Sequence, residues 1–230
     1  MNETERLTGA MPGDGPSAGA LESRLVALED RLRELGPDGA ADERAGLELE
    51  AARALVGLGR GEQSWPLARR AFDHFLAAGQ WERAVEACDC LFLAEQPGSL
   101  AALGQGIWLA VTYPVDPELT VAMLQHVVDE TPADADGAAV AAAAAVYLVD
   151  LRAEGRQRED LAFFANRLLG SVARAHSGVE DQGQFEAWVQ RLELDRPDRF
   201  LVRLRNVVDV LVQDDWWFDP AELQRDLPVN

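Results

Sequence analysis

From Asp42 to Val212, apolar residues recur at helical period, and glycine or proline breaks the recurrence at short intervals: Gly57-Leu-Gly-Arg-Gly61, Gly79, Pro97-Gly98, Pro114, Pro132, Gly155, Gly178 and Pro197. Such punctuation predicts helices of roughly 10 to 18 residues joined by short turns. Runs that alternate with period two between hairpin signals do not occur. The β-branched residues instead fall within helical stretches such as Val121-Ala-Met-Leu-Gln-His-Val-Val128. The expected class is all-α, and a hydrophobic share of 48% is enough for a sizeable core.

One stretch carries more than periodicity. In Ser64 to Pro97, Phe75 sits near the end of a first helix, Gly79-Gln-Trp-Glu-Arg-Ala84 forms a turn that leads into a second, and Pro97 closes the unit. A corner glycine reaches positive φ without strain, and Ala84 lets two helices approach closely. This stretch resembles a tetratricopeptide repeat, a helix-turn-helix unit of roughly 34 residues. A second copy runs from about Ala101 to Asp134, with Ile107 and Val111 on its first helix and Leu124 and Val127 on its second. Pro114 and Pro117 shape its corner in place of the turn glycine. A third unit, Gly137 to about His176, keeps Gly155 and the apolar period. A repeat buries its face only against neighbours, so one copy implies others. The resemblance implies a tetratricopeptide-like α-solenoid over residues 42–212, with a peptide-binding groove lined by first helices. In that groove it would present Arg69, Asp73, Gln105, Leu109 and Tyr113.

The flanks differ in composition. Residues 1–20 are rich in Gly, Pro, Ser and Ala without apolar period, as in a disordered tail. Leu21, Leu25, Leu28, Leu32 and Leu35 then recur at spacings of four and three up to Gly36. Over residues 21–36 this seam is either a short coiled coil that makes a homodimer or one amphipathic helix packed on its own domain. Residues 213–230 are acidic and Trp-rich. Trp216, Trp217 and Phe218 either cap the end of the array or form an exposed recognition element.

Charge narrows the partners. The formal net charge is −19 and the isoelectric point about 4.4, which disfavours nucleic acid and anionic membranes. Between Arg83 and Arg152 no basic residue occurs, while acids do, among them Asp129, Glu130, Asp134 and Asp136. That middle is either a solvated surface or a docking face for a basic partner protein. The N-terminal residues lack a basic start followed by an apolar run, and no apolar stretch reaches spanning length, so the cytoplasm is the expected location.

Candidate chemistry is thin. Cys88 and Cys90 lie two apart, on nearly opposite sides of a helix, and are expected as core thiols. His74, His126 and His176 fall in separate helices without ligand spacing, and His74 and His126 are expected to cap or pair locally. Gly57-Leu-Gly59-Arg-Gly61 lacks the Gly-Lys-Ser/Thr ending of a phosphate loop, and Asp134-Ala-Asp136 lacks the rest of a calcium loop. No cofactor or metal is expected. The expected function is a non-catalytic protein-interaction module, an adaptor or scaffold. The alternatives are a dedicated chaperone or maturation factor for a multi-subunit enzyme and, third, an enzyme of unstated type.

Overall fold

The computed structural model describes residues 16–36 and 40–225. They form eleven helices and no strand: α1 (Ala18–Leu35), α2 (Ala41–Gly57), α3 (Gly61–Ala77), α4 (Trp81–Leu93), α5 (Ser99–Thr112), α6 (Pro117–Glu130), α7 (Asp136–Arg152), α8 (Gly155–Ser177), α9 (Gln182–Arg191), α10 (Pro197–Val212) and α11 (Pro220–Arg225). From α1 to α8 each helix packs on the next. The connections are too short to return the chain to its starting end, so neighbours run antiparallel. The result is a solenoid-like helical array. None of the described helices is long and apolar enough to cross a membrane.

The breaks act as the sequence implies. Gly79 takes φ 66° between α3 and α4, and Gly178 takes φ 62° after α8. Asp116 caps α6 by accepting from the backbone N–H of Glu118 and Leu119, with Pro117 as the first helical residue. Phe75 and Ala84, which carry the repeat resemblance, are fully buried at the α3–α4 corner. Helix α8 is longer than expected, because Gly170 continues it where nothing forces a break. Helix α7 is apolar on every side, as a helix enclosed by α6, α8 and α10 must be.

The N-terminal flank settles into the chain itself. Ser17 caps α1, accepting from Ala20 N–H, so the helix starts at Ala18, inside the stretch expected as tail; residues 1–15 of that stretch lie outside the described residues. Leu25 and Leu28 are buried against Leu47, Ala51, Ala54 and Leu55 of α2, with Leu21, Leu32 and Leu35 packed alongside. The leucine seam thus packs locally.

Beyond α8 the chain departs from a simple solenoid. Helix α10 folds back onto α5 and α7, the first helices of the second and third units. Phe200, Leu204, Val208 and Val212 bury its inner face. The approach is close at Gly104 of α5, where a Cβ would lie 2.6 Å from Val212 Cγ2 and 3.2 Å from the Val208 carbonyl oxygen. On another side of the same helix, a Cβ on Gly106 would lie 2.7 Å from Cys88 Cβ. Small residues there let α5 be gripped by α4 and α10 at once.

Candidate functional site

The face that the first helices present is occupied. Helix α10 covers it over α5 and α7, and the following segment, residues 213–225 (hereafter the strap), continues over α3 and α5. At the junction Gln213 has φ 53° and ψ −123°, a strained backbone for a residue with a side chain. The strap then places its aromatics in a cage. The Trp217 ring lies edge-on to Phe72 (centroids 5.3 Å apart) and Trp65 (6.2 Å), both on α3. Phe218 packs on Trp108 of α5 at 5.3 Å, and Trp216 meets Trp108 at 6.3 Å. Edge-to-face pairs at these spacings each add about 0.5–1.5 kcal/mol beyond area burial.

Polar groups hold the strap's backbone. Gln105, fully buried on α5, accepts from Trp217 N–H at 2.8 Å and donates to the carbonyls of Asp215 at 3.4 Å and Ala101 at 3.2 Å. A primary amide that gives and takes with a peptide backbone recognises chain rather than side chain. The Arg69 guanidinium lies 4.0 Å from the Trp217 ring centroid and also pairs with Asp73 at 3.1 Å. Tyr113 donates to the Leu223 carbonyl at 3.2 Å, while its ring stacks on Trp81 at 3.9 Å.

Most of the groove residues expected from the repeat resemblance therefore do meet here, though not on an open surface. Arg69, Gln105 and Tyr113 touch the strap, and Asp73 is exposed beside Arg69. Leu109 differs. It is fully buried in the main core, because α5 is enclosed on several sides and has no free face to present it. Trp216, Trp217 and Phe218 are half-buried in the same place, so the groove and the aromatic run, anticipated as separate features, form one site. Trp65, Phe72 and Trp108 complete the cage and were not singled out from the sequence; their only signal was aromatic character on first helices.

The acidic middle is less uniform in space than in sequence. Arg53 reaches Glu86, Arg158 reaches Asp150, and His126 meets Asp89 at 2.9 Å. Asp136 accepts from Arg203 at 2.9 Å and faces His176 at 3.1 Å, so it is a structural acid and not a free docking charge. Distant segments, α2, α8 and α10, supply these cations. Glu130 and Asp134 are exposed. Asp129 and Glu130 line an open cleft of about 480 Å³ with Phe92, His126 and the exposed Leu93 and Leu100. Desolvation raises the Asp129 carboxyl, with His126 opposing.

Other titratable groups serve the frame. Cys88 and Cys90 are buried; desolvation pushes the Cys88 thiol well up and the Cys90 thiol to about 11, so neither is a nucleophile near neutral pH. Arg152 donates to the carbonyls of Ala110 (2.6 Å) and Val111 (2.7 Å) at the C-terminal end of α5, and burial lowers its pKa. Ser177 Oγ lies 2.6 Å from His176 Nδ1 and Asp136 Oδ1 lies 3.1 Å from His176 Nε2, the distances of a hydrolytic triad. Trp188 Nε1–H, however, donates to the same His176 Nδ1 at 3.2 Å and takes the lone pair a general base would need. The cluster ties α7, α8 and α9 together.

Comparison with protein-family models, curated proteins and solved structures returns no match.

Proposed function

We propose that the protein is a non-catalytic binding module, an adaptor or scaffold of tetratricopeptide-like design that engages a partner protein through its first-helix groove and its acid-rich surface. One observation carries this reading: a stretch of polypeptide is seated across α3 and α5, its aromatic side chains in a cage and its backbone held by the buried amide of Gln105. A face that accommodates chain in this manner has the features of peptide recognition, with apolar anchors for affinity and main-chain bonds for register. The cleft beside Asp129 and Glu130 adds an apolar floor with an acidic rim, suited to a partner segment that carries both basic and aliphatic side chains.

The test is affinity capture by the full-length chain from its native cell, repeated with Asp129→Asn, Glu130→Gln and Asp134→Asn combined. Asp136 is left intact because it pairs within the fold. The expected result is a stoichiometric protein partner whose association rate falls in the variant and loses much of its salt dependence. A single client points to the dedicated chaperone, several to a scaffold. Failure of any protein to co-purify with the folded chain would overturn the reading.

A further inference from the structure

We propose that the strap is an internal ligand: it closes the aromatic cage between α3 and α5, swings out at Gln213, and yields the cage to a partner segment with adjacent aromatic side chains and basic flanks. The proposal rests on the binding-module reading and specifies its regulation and its ligand.

Three features of the strap separate it from the framework. Its aromatics are only half-buried, whereas Phe200, Leu204, Val208 and Val212 of the preceding α10 are buried. Its junction is a single residue in a strained backbone conformation, so a change confined to Gln213 releases all that follows while α10 stays in place. Its polar contacts pass mainly through one amide.

Charge indicates what would replace it. The strap holds Asp214, Asp215, Asp219 and Glu222 against Arg225 alone, in a chain whose net charge is already −19. Closing it therefore works against like-charge repulsion, and the aromatic cage provides the attraction. A segment offering adjacent rings like these with basic flanks keeps the cage contacts and exchanges repulsion for attraction. Tethering is what lets the strap compete, since a short linker holds it at an effective concentration on the order of millimolar.

The probes are two labelled synthetic peptides, one with the sequence of residues 213–225 and one carrying Asp214→Lys and Asp215→Lys in that sequence. The host is the full-length chain, wild type and with Trp217→Ala and Phe218→Ala combined to open the cage. Both peptides should bind the opened chain at least about tenfold more tightly than wild type, and the basic peptide should be the tighter of the two at low salt. Gln105→Ala in the opened chain should weaken both. Thiol labelling of Cys88 and Cys90 must stay slow in the opened chain, which shows that the core is intact. If the double variant unfolds, hydrogen exchange on wild type decides: amides of residues 216–223 should exchange at least about tenfold faster than those of α10. Exchange of both segments together, no gain in peptide affinity on opening, or equal binding of acidic and basic peptides would overturn the proposal. If the peptides fail while a captured partner still binds, the binding reading stands without it; if the peptides bind but no partner is captured, that reading fails on its own.

Discussion

Helix α10 and the strap are consecutive in sequence and cover the same face of the array, yet they are held differently. Helix α10 interdigitates: Phe200 packs edge-on to Tyr147 of α7 at 5.8 Å, and Val208 and Val212 close on α5 at Gly104, where no Cβ fits. The strap is held through ring contacts, the Arg69 guanidinium, one amide and one tyrosine hydroxyl, with its rings half exposed. The first arrangement is that of a core, where every displaced methylene leaves a void. The second is that of a bound peptide, where a few anchors hold a chain that water can still reach. The array therefore ends in a fixed helix followed by a releasable segment.

The largest expected effect tests the fixed half. Phe200→Ala should cost about 3–5 kcal/mol, the usual range for deleting a fully buried aromatic ring. Denaturant melts would show it as a lower midpoint. Thiol labelling supplies the mechanism, because a core loosened by loss of α10 exposes Cys88 and Cys90 more often and speeds their reaction. A loss under about 1 kcal/mol, with labelling unchanged, would mean that α10 is as detachable as the strap.

How far this arrangement was legible depends on range in sequence. Helices α3 and α4 follow from Phe75, Gly79 and Ala84, since those residues meet within one unit and their spacing is set by the helix itself. The leucine seam is equally plain, although period alone does not name its contact; in the structure Leu25 and Leu28 are buried against Leu47 and Leu55 of α2. The return of α10 was not legible. Its amphipathic period announces a buried face without naming its contact, and the small residue that admits it, Gly104, looks in sequence like an ordinary helix weakener. Gln105 was flagged as a groove residue from its place on a first helix, but its bonds to Asp215 and Trp217 link positions more than a hundred residues apart. The local pairing of some acids in the middle was hidden for the same reason: Arg53, Arg158 and Arg203 stand outside the stretch whose acids they pair with.

A smaller effect tests the releasable half. Trp217→Ala and Phe218→Ala should each cost about 1–2 kcal/mol of strap docking, less than for buried rings because both are half exposed. Their combination should cost less than the sum. Once the strap spends most of its time undocked, further truncation has nothing left to weaken, so the loss saturates at the free energy of docking. The double-mutant cycle, read by the melting midpoint and thiol labelling together, should give a combined loss smaller than the sum of the single losses, with slow labelling in all three variants. Strict additivity with faster labelling would place the strap in the same cooperative unit as α10.

The smallest effect lies at Arg69, and it separates the cage's cation from its rings. The guanidinium sits 4.0 Å from the Trp217 ring centroid and 3.1 Å from Asp73. Arg69→Met keeps much of the aliphatic stem while removing the charge. A partly exposed cation–π contact is worth about 0.5–1 kcal/mol, and an ion pair of this spacing on a helix surface about 0.3–0.5 kcal/mol. Loss of the first loosens the strap; loss of the second weakens α3 and leaves the strap alone. The two are distinguishable because Asp73→Asn removes only the pair. Arg69→Met should therefore speed hydrogen exchange at the Trp217 amide by up to about fivefold, while Asp73→Asn leaves that amide unchanged. The α10 amides should not respond to either substitution, since the strap ring that Arg69 contacts is that of Trp217. Equal acceleration by both variants would show that Arg69 acts through α3, with the rings and Gln105 alone closing the cage.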